Sequence, residues 1–127
     1  MLYERDAKGS VDEVCAKLTQ AAADNKFGVL GVHDLKQKMA DKGVPFGPQC
    51  RILEVCNPHQ AKAVLEANPS ISTALPCRIA VYEHAGKTTV STLKPTVLLS
   101  LFGNPELQPV ARDVETAIVR MINAACT

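Results

Sequence analysis

The chain has 127 residues, 14 of them basic and 13 acidic, for a formal net charge of +1. A hydrophobic fraction of 46% against 21% charged is that of a folded chain and excludes a disordered one. The length fits a single domain over residues 1–127 that can bury a core without staples, and the charge balance excludes nucleic acid or an anionic membrane held by bulk charge.

Alternation from Leu2 to Ala7 predicts a first strand. Ser10 followed by Glu13 is a capping box, and Val11, Val14, Cys15, Leu18, Ala21 and Ala22 recur at helical spacing. Cys15 is therefore expected as a small buried hydrophobe. Phe27 to His33 is the next strand, and Asp34 caps a short helix with Leu35 and Met39 turned inward and Gly43 at its end. The two prolines between Val44 and Gln49 make that segment a loop. Cys50 to Cys56 is a strand whose period of two puts Leu53 and Val55 on one face and Ile52, Glu54 and Cys56 on the other.

Asn57-Pro58 starts a helix, with Asn at the cap, Pro at the first helical position and Gln60 completing the capping pattern. Ala61, Val64 and Leu65 form its inner stripe until Asn68-Pro69 breaks it. A strand from Arg78 to Glu83, a turn at His84-Ala85-Gly86-Lys87 and a strand from Thr88 to Leu93 make a hairpin. Pro95 to Phe102 reads as a short apolar helix, and Val110, Val114, Ala117, Ile118, Met121 and Ile122 give the last helix its apolar face. This order predicts an α+β fold, a mainly antiparallel sheet of four to five strands with helices on one face. The other face, with Ile52 and Cys56, is expected to be covered by a second copy in a homodimer.

The longest apolar stretch, Val97 to Phe102, is too short to span a membrane, which takes about 20 apolar residues. Residues 1–10 lack the apolar core of a secretory signal. A cytoplasmic chain is the expectation, although one whose leader had been removed would read the same way. The five cysteines, Cys15, Cys50, Cys56, Cys77 and Cys126, form no CxxC pair, which argues for reduced thiols rather than a disulfide framework or a four-cysteine zinc site.

The segment Ile52-Leu53-Glu54-Val55-Cys56-Asn57-Pro58-His59-Gln60-Ala61, followed by Leu75-Pro76-Cys77-Arg78 and the strand Ile79-Ala80-Val81-Tyr82-Glu83, resembles the signature of the bacterial and archaeal family called domain of unknown function 302. His33-Asp34-Leu35 and Lys42-Gly43 resemble that family's strand-to-helix step and helix end. The similarity runs over roughly residues 3 to 125. It implies a β-α-β4-α core similar to the TATA-binding-protein architecture, in a dimer, and implies no activity. Shared architecture with a DNA-binding fold transfers no function.

One place in the sequence invites chemistry. Cys56 ends a strand just before the helix cap Asn57, where backbone N–H groups and the helix dipole favour an anion. The expectation there is a thiolate, reactive and fit to bind metal. Cys77 precedes Arg78, a cation that would favour a second thiolate. If their strands are neighbours, Cys56, Asn57, Cys77 and Arg78 form a polar binding crevice. His59, in C-x-x-H spacing from Cys56, would join Cys56 and Cys77 as ligands of a soft metal. Covalent haem is excluded for want of an attachment motif. Each residue also has a plainer role: Cys56 as an apolar residue packing on Ala61, Cys77 and Cys50 as strand residues, Cys126 exposed near the chain end, and His59 and His84 solvated.

No classical enzyme signature is present. His33 and Asp34 point to opposite sides of a strand and make no dyad. Gly28-Val29-Leu30-Gly31 lacks the third glycine and following helix of a phosphate loop, and there is no serine nucleophile elbow and no acidic pair. Three functions follow: a dimeric protein binding a small molecule or sulfur species at a thiol-centred, redox-capable crevice; a soft-metal or haem module; or an interaction scaffold whose cysteines only fill space.

Overall fold

The structure is a computed structural model that describes all of residues 1–127. Five strands, β1 (Leu2–Ala7), β2 (Gly28–Asp34), β3 (Cys50–Cys56), β4 (Cys77–His84) and β5 (Lys87–Leu93), form one antiparallel sheet in the order β1-β5-β4-β3-β2. Helices α1 (Val11–Asp24), α2 (Leu35–Asp41), α3 (Pro58–Ala67), α4 (Pro95–Ser100) and α5 (Gln108–Cys126) complete it. β1, α1, the four strands β2 to β5 and α5 make the β-α-β4-α core, and the other helices are insertions into it.

Local chemistry sets the helix starts. The Ser10 hydroxyl accepts from the Glu13 N–H while the Glu13 carboxylate accepts from the Ser10 N–H, closing the capping box. Asp34 accepts from Gln37 N–H and so caps α2. The β4–β5 hairpin turns at Ala85 and Gly86, both at positive φ.

α1 and α5 pack together over one sheet face. Val14, Leu18, Leu53, Val55, Ile79, Val81, Val90, Ile118, Met121 and Ile122 form the dry core between them. A second cluster, Val64, Ile71, Leu99, Leu107 and Ala111, joins α3, α4 and α5 beyond the end of the sheet.

The structure corrects three local expectations and adds one element that none of them covered. α2 buries none of its residues; it packs against β2 and β3, the two strands on that side of the sheet, and not in the main core. Only Val64 of the α3 stripe is buried. Pro69–Ala74 forms a 3-10 helix after the Asn68-Pro69 break, and Ile71 within it is fully buried. Cys126 is not exposed: α5 runs as far as this residue and buries it in the main core.

The open face carries its own polar order. Glu4, Ser91, Ala80, Ile52 and His33 form one row across all five strands. The Ser91 hydroxyl donates to Glu4 at 2.7 Å and Tyr82 OH reaches both. His33 Nε2 lies 2.8 Å from Glu54 Oε1, and Lys38 Nζ lies 2.7 Å from His33 Nδ1. Much of this face is therefore satisfied without a cover.

Candidate functional site

β3 and β4 are neighbours, with Val55 opposite Cys77. Alternation sends Val55 and Cys77 to the helix face and Cys56 to the other. β3 ends at Cys56, and the chain turns through Asn57 into α3. A small cavity closes around this strand end, and both Cys56 and Cys77 line it. Ala61 and Val64 of α3, Leu98 and Leu99 of α4 and Val114 of α5 line it together with Phe27, Val55, Leu75 and Pro76. A cis peptide bond joins Leu75 to Pro76.

The cavity has about 40 Å³ of room. A single water needs roughly 10–15 Å³ on this measure, so the space admits a molecule of a few heavy atoms. That is far below what a haem requires. The lining is almost wholly apolar, not the polar crevice expected, because Arg78 and His59 both point elsewhere and Asn57 spends its side chain on the helix start.

The cap also explains why Cys56 is not a thiolate. Asn57 Oδ1 accepts from His59 N–H and Gln60 N–H, both at 3.1 Å, so the first donors of α3 are already used. Burial then decides, and it pushes the Cys56 thiol up. Cys77 is pushed up to about 11, by burial first and by the neighbouring Cys56 second. Arg78 does not offset this. It follows Cys77 on the strand and so faces the other side of the sheet, where its Nε lies 3.8 Å from Glu54 Oε2. Both thiols are neutral at pH 7.

His59 is exposed on the first turn of α3 and does not line the cavity. No three His, Cys, Asp or Glu side chains come together anywhere in a metal-holding arrangement. The Cys56, His59 and Cys77 ligand set therefore does not assemble.

One residue of the site departs from the sequence expectation. Gln60 looks like the return half of a capping box, but its side chain makes no hydrogen bond to Asn57 or to any other group. Its Oε1 is buried without a partner, on a residue that lines the cavity. The signal was the cap itself: Asn57 accepts from both N–H groups, which leaves Gln60 free to turn inward. The other buried orphan, Arg51 Nε, belongs to a guanidinium already held by Asp12 and 3.7 Å from Asp34. Sequence also paired His33 with nothing, whereas β2–β3 pairing brings it to Glu54. Asp34 serves as the α2 cap, as expected.

A wider groove lies on the open sheet face behind the same wall. It has about 360 Å³ of room and shares Ala74, Pro76, Cys77 and Leu98 with the inner cavity. Arg78 lines it from β4, opposite Glu54 of β3. No helix is long and apolar enough to cross a membrane.

Residues 3–125 match the family described as Domain of unknown function DUF302. A crystal structure of an uncharacterized conserved DUF302 protein from Bacillus stearothermophilus is similar over 99% of this chain and 98% of its own, with a TM-score of 0.93 and 32% identity. No curated protein matches the chain.

Proposed function

The chain belongs to the DUF302 family, a domain of unknown function, and from that premise we infer that it is a small-molecule-binding protein whose ligand seats between Cys56, Cys77 and Gln60. The observation that carries this reading is the unpaired buried Oε1 of Gln60, a residue that lines an apolar cavity. A buried polar atom without a partner costs about 1–3 kcal/mol. Such a cost is commonly kept where function uses it. A ligand that donates one hydrogen bond to Gln60 removes it.

The ligand class follows from the lining. It is small, because of the volume, and uncharged, because nothing in the cavity balances a charge. Two thiols supply soft, polarisable contacts, which suits a small neutral sulfur species with an S–H to donate. The thiols bind rather than attack, since both are held protonated.

Titration of 15N-labelled protein with ethanethiol, ethanol and ethylammonium tests the reading. Ethanethiol shifts the amides of Cys56, Gln60 and Cys77 at the lowest concentration, ethanol follows, and ethylammonium leaves them in place. Equal response to all three removes the proposal.

We also propose a homodimer. Much of the open face is polar and satisfied, so the contact falls instead on edge strand β2, where Leu30 and Val32 are 65% and 53% exposed. Light scattering at micromolar concentration should give twice the chain mass of 13.6 kDa, and Leu30→Glu should return it to the monomer. A monomeric wild type ends this part of the account.

A further inference from the structure

We propose that the groove on the open sheet face binds an aliphatic carboxylate, its chain along the sheet and its head group on Arg78. This goes beyond the inner-cavity reading and does not depend on it, because the two spaces, although they share the wall at Ala74, Pro76, Cys77 and Leu98, differ in charge and size. Leu2 and Leu93 sit opposite each other across β1 and β5, and Ile52 and Ala80 across β3 and β4. Leu98 and Pro76 extend this apolar strip past the end of the sheet.

Polar clusters bound the strip. In the shared row, Ala80 and Ile52 lie between Ser91, tied to Glu4 and Tyr82, and His33, tied to Glu54 and Lys38. An apolar strip with satisfied polar borders fits an elongated chain better than a broad protein surface. The room, about 360 Å³, falls within the range of small-molecule sites, roughly 300–1,000 Å³.

Arg78 sets the sign of the head group. It is the only charged side chain lining the groove. Its side chain is 68% exposed, its Nε makes only the 3.8 Å approach to Glu54, and its two terminal nitrogens make no hydrogen bond. A guanidinium with its terminal nitrogens free suits a carboxylate bound through two parallel bonds.

Calorimetric titration of the full chain with octanoate, hexanoate, octanol and octyltrimethylammonium tests the proposal. Octanoate binds best, and hexanoate binds about tenfold more weakly, at roughly three- to fourfold per methylene. Arg78→Gln weakens octanoate about tenfold or more and leaves octanol unchanged, while Arg78→Lys recovers part of the loss. Amide shifts at Ile52, Ala80 and Leu93 place the chain. The proposal falls if octyltrimethylammonium binds as well as octanoate, if Arg78→Gln leaves octanoate unaffected, or if the shifts lie elsewhere. Ethanethiol titration of Arg78→Gln keeps the two sites apart: an unchanged response shows that a failure here leaves the inner cavity standing.

Discussion

Cys77, pushed up to about 11, ionises in only about one molecule in 10⁴ at pH 7. Alkylation of Cys77 by iodoacetamide in the folded protein should therefore be slow at pH 7 and rise about tenfold per pH unit until it levels near pH 11. Peptide mass spectrometry against time gives the rate, and a plateau near pH 8 would show a thiolate that burial does not suppress. Gln60→Leu separates a binding role from a packing role. Removing the orphaned oxygen should raise stability by about 1–2 kcal/mol in urea unfolding, while ethanethiol binding weakens about tenfold. A variant that loses stability and binding together would make Gln60 an ordinary packing residue.

The start of α3 determines where Cys56 and Gln60 point, so the cap is the element on which the site leans. Asn57→Ala leaves two N–H groups without their acceptor and should cost about 1 kcal/mol. It should also lower the Cys56 pKa, since the freed donors then strengthen the positive field at the start of α3, next to Cys56 in the chain. A pH profile of Cys56 alkylation unchanged by the substitution would contradict this. Strands and helices of this kind were readable from local pattern, because caps, prolines and periodicity act within a few residues: Ser10 with Glu13, Asn57 with Pro58, the turn at Ala85-Gly86. What lay out of reach depended on pairing between distant segments. The meeting of Cys56 and Cys77 needs β3 beside β4, and His33 meets Glu54 only through β2 beside β3. The Asn68-Pro69 break hid the 3-10 helix, since proline ends one helix and equally begins another.

All five thiols have raised pKa values, each with burial as the largest cause. This gives the fold an alkaline limit. A thiol titrates near 9.0 when unfolded, and Cys77 near about 11 when folded, so the folded chain holds that proton more tightly. Its contribution to stability is complete below pH 9 and is lost as pH rises from 9 to 11, at up to about 1.4 kcal/mol per pH unit for this one group. Urea unfolding at pH 8, 9 and 10 should show the decline, and Cys77→Ala should make it shallower. The same slope in both proteins would mean that the Cys77 proton is not linked to folding. Burying Cys126 at the end of α5 draws the C-terminal residues into this balance, an outcome that position in the chain alone did not foretell.

The central claim is that a small neutral molecule occupies the cavity between the two thiols and Gln60. A high-resolution crystal structure of the protein soaked in ethanethiol tests it most directly. The account predicts density inside the cavity, in contact with Cys77 Sγ and within hydrogen-bonding distance of the Gln60 amide. An empty cavity, with ethanethiol bound only at other surfaces, would contradict it.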